Sequence, residues 1–557
     1  MRRLPWTLWR MATLDLLRLV TLTAAIVVTI AAFGAMIPQL AKGRLGPAEG
    51  FRFMLLAVVP MLQYALPFAS GFASTLVYHR MAQDNEVLAA HAGGLGHRAV
   101  LAPALGVGLL LAVVLSVLSE AAIPSLLRSM ERLIAADVAK MMVTRIQNGE
   151  SLRFEGWVVH ADSVKRVAPD PRSGAFDSMI LRRVVALRLD EQKKIVREVT
   201  ADRAQVWFFN DWPGATGRPE REDAVVLWME LGTVLAVEQG TATGISSNVP
   251  LSFELPGMFA DDPKFFTMKG LIDLRSRPEA INYIERSRRA LAFHMGERLW
   301  TSQILGALRA TGEAAILDEL GQPAFLRASS MAWSPRAKAW ELSPGRDGVI
   351  ELRFTHDGRV SRLVADRGWV ATRMGFDPLV EPLSLLVTLE DVRILGEDGE
   401  ATGAPRKRLE RAGFVLAEDP VRPLLETPAL DLLERALPLV ESDTPDAFLV
   451  GPTRHLQREI RQLNDEVTSK QHERIASSIA CFLMVVGGSV VALRLASALP
   501  LTVYLWCFMP AILTILATEA GQELTASVGA IGLPLLYSGV VGFAGYALAT
   551  YAVVRRR

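Results

Sequence analysis

Cysteine is nearly absent: two in 557 residues, Cys481 and Cys507, both inside apolar runs. That excludes a disulfide framework and a cysteine-based zinc cluster. Charge of one sign is also lacking, since 60 Lys and Arg face 59 Asp and Glu for a net charge of +1. A balanced chain offers no global attraction to nucleic acid. The sequence contains no GxxxxGK loop followed by Ser or Thr, no HExxH, no GxSxG and no Cys-x-x-Cys, so the signatures of nucleotide hydrolysis, metalloproteolysis, esterolysis and thiol redox chemistry are missing. His79, His91 and His97 lie close in sequence but without acidic or cysteine co-ligands at metal spacing. No metal site is therefore expected there.

Charge is missing altogether from six long stretches: 19–41, 53–78, 99–119, 475–493, 495–518 and 524–554 contain no Asp, Glu, Lys, Arg or His. A membrane-spanning helix needs about 20 apolar residues, so each run is long enough to cross a bilayer. The first run can also be read as a cleaved leader behind Arg2 and Arg3, but it is long for one, and two more spanning runs follow directly. A coupled ion transporter usually carries a charged residue within the membrane. None is present here, so any transport would draw its energy from a partner.

Between the third and fourth runs lies a segment of ordinary soluble composition, which gives a plan of three helices, a large insert and three helices. Basic residues orient it. With the N-terminus in the cytoplasm, Arg2, Arg3, Arg10, Arg18, Arg80, Arg98, Arg494 and Arg555 to Arg557 fall inside, and only Lys42, Arg44 and Arg52 fall in short outer loops. The insert 120–474 is then extracytoplasmic.

Within the insert, residues 151–254 alternate with period two, as in Arg153 to Val159 and Val184 to Leu189. Turn signals such as Asn210-Asp211-Trp212-Pro213-Gly214 interrupt the alternation. This pattern predicts an antiparallel sandwich or jelly roll. A second block at 321–403 looks like a copy. Val196 to Arg203 resembles Val360 to Arg367 with Ala-Asp-Arg identical, Leu231 to Val234 resembles Leu389 to Val392, and Thr243-Gly244 recurs as Thr402-Gly403, at offsets of 158 to 164. Chance likeness between short strands is the competing explanation. Residues 266–312 and 455–472 read as helical, the latter as a stalk leading into the fourth run, with 120–148 as its counterpart after the third. The expected fold is an α-helical membrane protein with six transmembrane helices (3+3) and an inserted, duplicated, jelly-roll-like all-β region. Its domains would be 1–120, containing a cytoplasmic loop at 79–98, then 121–312, 313–454 and 455–557.

The loop between the second and third runs, Arg80-Met-Ala-Gln-Asp-Asn-Glu-Val-Leu-Ala-Ala-His-Ala-Gly-Gly94, predicts a short helix. Asp84 would cap it, Glu86 would sit at its positive end, and Gly93-Gly94 would end it. By shape alone this is either an ordinary capped loop or a docking element. Arg80, Asp84, Glu86, Val87, Ala89, Ala92 and Gly94 fit the loop pattern of the lipopolysaccharide-export permeases LptF and LptG (YjgP/YjgQ), with Met81 in place of Leu. Glu120-Ala-Ala-Ile-Pro124 resembles that family's E-x-x-x-P, and His472-Glu-Arg474-Ile-Ala476 its H-x-R-hydrophobic-A. Residues 521–534 loosely resemble its last loop. Two features depart from the family: the second β-block, and Tyr537-Ser538-Gly539 where members often carry Trp and Asn.

The resemblance implies a permease subunit, without enzymatic activity or bound cofactor, in an ATP-driven exporter. ATP would be hydrolysed by a separate LptB-like ATPase. The other partners would be a second LptF/LptG-like permease, LptC/LptA-like periplasmic bridge proteins, and lipopolysaccharide or a related glycolipid. Arg80, Asp84, Glu86, Val87 and Gly94 would form the ATPase-coupling helix, with Glu86 pairing a basic residue of the ATPase. Lys42 and Arg44 would meet lipid phosphates, or else serve as interfacial anchors. Tyr504, Trp506 and Phe508 would line the membrane cavity, or else form a lipid-facing belt. The inner bacterial membrane is the expected location. The competing class is a non-transporting membrane-anchored scaffold or sensor whose β-domains bind an envelope partner; such a protein would have no need of the coupling helix.

Overall fold

The computed structural model describes residues 5–41, 47–127, 129, 138–154, 157–169, 175, 177–189, 195–209, 226–238, 241–245, 249–254, 262–318, 321–337, 339–345, 347–356, 359–373, 383–396, 400, 404–443 and 446–556. Lys42, Arg44, Thr402 and Gly403 lie outside this set. Among the described residues, five helical segments are long and apolar enough to cross a membrane: Trp6–Pro38, Gly50–Gln83, His97–Leu127, Ala447–Arg494 and Pro500–Arg556. The last is two helices joined by a single 3-10 turn.

The first membrane half is α1 (Trp6–Ala41), α2 (Pro47–Gln83), the short α3 (Glu86–Ala92) and α4 (His97–Val117). Leu16, Ala69, Ala73, Tyr78, Ala104 and Leu115, each essentially inaccessible, form its core together with Cys481 and Val485 from the second half. Trp9 ties α1 to α4 by donating its indole N–H to the Ala99 carbonyl (2.8 Å), so α1 is built into the bundle. A π-helical turn, Leu118–Ala122, follows α4 and the chain stays helical to residue 127. α5 (Val138–Gln147) then leads into the insert. The stalk read at 120–148 is helical at both ends, and its middle lies outside the described residues.

The described residues of the insert form two sheets, antiparallel at every pairing. In the first, β1 (Leu152–Phe154), β2 (Trp157–Val167), β3 (Asp177–Leu189), β4 (Ile195–Phe209), β5 (Val226–Leu231) and β8 (Val249–Glu254) are neighbours in that order. β6 (Val234–Glu238) pairs with the other half of β4, and β7 (Thr241–Ile245) pairs with β6. Alternation along β2 and β4, shifted by one residue in β4 at the exposed Asp202-Arg203, buries Val159, Ala161, Val199, Ala201, Ala204, Val206 and Phe208 in one cluster. Met142 and Ile146 of α5 pack into the same cluster.

α6 (Met268–Ser276) and α7 (Asn282–Thr311) follow, then the second sheet. Its strands are β9 (Glu313–Leu317), β10 (Pro323–Arg327), β11 (Ser330–Ser334), β12 (Ala339–Ser343), β13 (Ile350–His356), β14 (Arg359–Ala365), β15 (Arg367–Arg373), β16 (Ser384–Leu395) and β17 (Arg406–Phe414). The sheet therefore begins and ends about ten residues beyond the alternation read at 321–403. β17 reads Arg-Lys-Arg-Leu-Glu-Arg at its start, and such charge conceals the apolar alternation.

The two sheets share a pairing register. In the first, Thr200 faces Leu235, Ala204 faces Leu231 and Val206 faces Met229. Shifting the first strand by 164 positions and the second by 158 gives Val364 facing Arg393, Gly368 facing Leu389 and Val370 facing Val387, which are the pairings found in the second sheet. The shared Ala-Asp-Arg sits at a corner in both. At Asp202, β4 changes partner from β6 to β5; at Asp366, β14 ends and β15 begins. In the first corner Asp202 Oδ1 accepts from the Thr233 amide (3.0 Å). A Cβ on the neighbouring Gly232 would stand 2.8 Å from that oxygen, so a larger residue there would push the Asp202 carboxylate aside.

α8 (Arg422–Leu425) and α9 (Ala429–Val440) lead to α10 (Ala447–Arg494), one 48-residue helix running from the insert through the bundle. α11 (Pro500–Val528) and α12 (Leu533–Arg556) complete the chain. These last two approach at small residues: a Cβ on Gly521 would lie 2.1 Å from the Leu536 nitrogen, and one on Gly532 2.4 Å from the Thr525 nitrogen. Such close backbone contact is how helices associate where the hydrophobic effect is weak.

Candidate functional site

The loop helix α3 is two turns long and lies between the two apolar helices α2 and α4. Its N-cap is Asn85 in the left-handed region (φ 59°), with no side-chain capping bond. Asp84, expected as the cap, instead stands 3.7 Å from Arg80, both side chains mostly exposed. Asn is among the residues that tolerate this left-handed backbone, and with the turn placed at Asn85 it is Asn85, one position on, that stands at the cap. The Arg80–Asp84 pair is worth well under about 1 kcal/mol at such exposure; it leaves both charges available at the surface.

Glu86 occupies the first turn, and its Oε2 is buried with no hydrogen-bond partner among the described residues. Val87 is half-buried against the bundle core, whereas Leu88 is 66% exposed. The helix ends at Gly93, and Gly94 adopts φ +80°, a conformation that favours glycine. His91 Nδ1 lies 2.7 Å from the Leu95 carbonyl oxygen, and its ring meets His97 edge-on at 4.3 Å. Among the described residues no group of three His, Cys, Asp or Glu could hold a metal ion. α3 thus presents an apolar side chain outward beside a carboxylate oxygen that lacks a donor. Such an oxygen is costly to bury unpaired, so turning the Glu86 side chain outward to meet a donor would be favourable.

A second constellation lies where the bundle meets the insert, and it gathers the two motifs Glu120-x-x-x-Pro124 and His472-x-Arg474. Glu120, in the π-helical turn, accepts from the Met268 amide at the start of α6 (2.8 Å). The same oxygen is 3.9 Å from Arg474 Nη1. Arg474 Nη2 donates to the Phe266 (2.7 Å) and Lys264 (3.3 Å) carbonyls. Glu473, almost wholly buried, receives Lys470 (2.9 Å) and the Gln63 amide of α2 (3.1 Å). His472 Nδ1 lies 3.0 Å from the Tyr537 hydroxyl of α12. Successive residues on a helix point about 100° apart, so three neighbours on α10 reach three different elements. Gln63, Lys264 and Met268 carry no motif and were not readable as members of this site. Tyr537, noticed only as a departure from the family, supplies the hydroxyl.

Tyr504 and Phe508 project from α11 against Phe72 and Phe68 of α2, with ring centroids 5.0–6.0 Å apart. The cleft that Phe508 lines with Phe68, Phe72, Cys507 and Phe543 is narrow, with about 290 Å³ of empty space. Trp506 is 54% exposed, and its carbonyl accepts from the Tyr546 hydroxyl (3.1 Å). The structure therefore groups two of the three expected cavity residues and leaves the third apart.

No curated protein matches the chain. Residues 12–212 match the family of the lipopolysaccharide export system permease LptF/LptG. That stretch contains α1 to α4, the loop helix, the Glu120 turn and the first strands of the insert. Apolar helices and the family together indicate an inner-membrane protein. Over residues 12–212, roughly the first third of the chain, the sequence is similar to the LptF/LptG permease family.

Proposed function

We propose that the chain is the permease subunit of an ATP-driven exporter that takes lipopolysaccharide or a related glycolipid from the inner membrane and hands it to periplasmic bridge proteins. In this reading the apolar segments cross the membrane six times, α11 and α12 separately. Both termini are cytoplasmic, the insert is periplasmic, and each sheet is a jelly-roll-like copy of one ancestral unit. A second permease of the same family and a cytoplasmic ATPase complete the transporter.

The observation that carries the reading is α3: a short helix between two membrane helices, in the loop that fits the family, with Leu88 exposed and a Glu86 oxygen lacking a donor. A basic residue of the ATPase meeting Glu86 would form a charge-assisted hydrogen bond in a half-dry setting, among the stronger polar contacts available. ATP-driven movement at α3 would pass into the bundle core through Val87 and Met81.

The test is Glu86→Ala in the protein purified from its native membrane. The variant is expected to insert normally but to recover less ATPase and to export less lipid. Normal ATPase recovery with normal export would remove the coupling role. Recovery of envelope proteins and no ATPase by the parent protein would favour the scaffold.

A further inference from the structure

The two sheets share their register but not their surroundings. Among the described residues, the buried face of the first sheet is closed by its own side chains and by Met142 and Ile146 of one ten-residue helix, α5. The corresponding face of the second sheet belongs to a continuous core that also includes α6, α7, α8, α9 and the upper part of α10, down to Val467. Trp300, Ile304 and Leu308 of α7 are essentially inaccessible within it, as are Leu352, Val370 and Val387 of the sheet. Thr372 on β15 donates to Glu297 of α7 (2.5 Å), which fixes helix and strand in register. A Cβ on Gly296 would lie 2.4 Å from Val421, so α7 also lies directly against the segment leading into α8. Phe354 and Phe414 meet edge to face at 6.2 Å in the same interior.

The backbones differ accordingly. β2, β3 and β4 of the first sheet run unbroken through its corner, whereas the equivalent paths in the second are split into β10 and β11, β12 and β13, and β14 and β15. The outer faces differ as well. Val158, Val185 and Leu187 of the first sheet correspond in register to Phe325, Glu351 and Arg353 of the second, where Arg362 (2.7 Å) and Arg353 are ion-paired to Glu351 and Glu313.

We propose that the second β-unit has lost the lipid-accepting interior and works as a mount: its helix-filled core clamps the upper part of α10, so that unit and membrane helix move as one body, and only the first β-unit receives acyl chains. This rests on the exporter reading. To admit a lipid, the first sheet needs to part side chains and one short helix. The second would have to shed α7 and α9, whose core is continuous with the helix that enters the membrane. A duplicated unit therefore does not double the length of the lipid path.

The test places a photoreactive benzoylphenylalanine at register-matched pairs, Val206 against Val370 and Met229 against Val387, in cells exporting lipid. The expected result is lipid adducts at Val206 and Met229 and none above background at Val370 and Val387. Adducts in both units would overturn the mount while leaving export intact. Adducts at neither would overturn the exporter reading and the mount with it. If the second-unit variants do not fold, a lock decides: Glu297→Cys with Thr372→Cys, joined by a short bis-maleimide to which both thiols add, is expected to leave export unchanged. Export that is normal before locking and abolished after it would show that α7 must leave the sheet, and would overturn the proposal.

Discussion

Glu120 and Arg474 lie 354 positions apart and stand 3.9 Å from each other where the bundle meets the insert. One carboxylate oxygen of Glu120 serves both the guanidinium and the first amide of α6, which has no partner inside its own helix. Negative charge is favoured at such a helix start. The chain's two passages between bundle and insert, up from α4 and down into α10, are therefore joined at one point, and any tilt of one is felt by the other.

Removing the cation at that point should be expensive. Arg474 is 9% exposed on its side chain and donates to two carbonyls besides facing Glu120. Arg474→Ala strands both carbonyls and removes the cation facing Glu120, and is expected to cost about 3 kcal/mol, read as a lowered unfolding temperature in detergent. Glu120 is 44% exposed, so Glu120→Gln, which retains an acceptor for Met268, should cost no more than about 1 kcal/mol. Equal losses in the two variants would contradict the picture of a buried cation held chiefly by carbonyls.

The α11–α12 hairpin makes a sharper steric prediction. Gly521→Ala puts a methyl 2.1 Å from the backbone nitrogen of Leu536, which cannot move aside as a side-chain tip can. The helices must separate, at a cost of about 3 kcal/mol or more. Gly542→Ala in α12 meets nothing within 4 Å and should be neutral or stabilising by about 1 kcal/mol. Thermal unfolding of the two variants side by side checks this; a harmless Gly521→Ala would mean the hairpin is not this tight.

Much of this architecture was legible because its signals are local. Six uncharged runs, a period-two insert and the repeated Ala-Asp-Arg all lie in short windows. What stayed hidden depends on distant partners. Gln63 is an unremarkable amide until Glu473 arrives from the other end of the chain. β17 hides behind its arginines because strand identity there comes from pairing with β16. The capping role went to the wrong residue because the left-handed turn at Asn85, one position on, displaces Asp84. The helical filling of the second sheet was out of reach as well, since the alternation in β13 and β16 is the same whether a helix or a lipid covers it.

The corner in the first sheet yields a prediction about shape. Asp202 Oδ1 holds the Thr233 amide where β4 exchanges β6 for β5. Asp202→Ala removes one half-exposed hydrogen bond, expected to cost about 1 kcal/mol, with faster amide exchange at Thr233 and its neighbours. Asp366 has only a 4.0 Å approach from Arg393, both exposed, so Asp366→Ala should be close to neutral. An identical tripeptide would then matter in one sheet and not in the other.

Acid should loosen the second unit through Glu285. This carboxylate is buried among Arg288 and Arg289, with donor distances of 2.6 to 2.7 Å, while Arg288 Nη1 also donates to the Leu425 and Thr427 carbonyls and so ties α7 to the α8–α9 segment. Burial works to raise its pKa, but the two guanidiniums overcome that and hold it below the usual carboxylate value. A carboxyl with a depressed folded pKa binds fewer protons in the folded state. Its contribution is therefore complete above the unfolded value, roughly pH 4.3, and is lost as the pH falls from there through the folded value. Glu285→Gln should cost about 3 kcal/mol at neutral pH and flatten the stability profile below roughly pH 4.3. Amide exchange along α7, followed from neutral pH downward, checks both. A Glu285→Gln profile as steep as the parent's would assign the acid sensitivity to another group, and Glu297, also depressed although burial opposes it, by His294 and Thr372, is the next to examine.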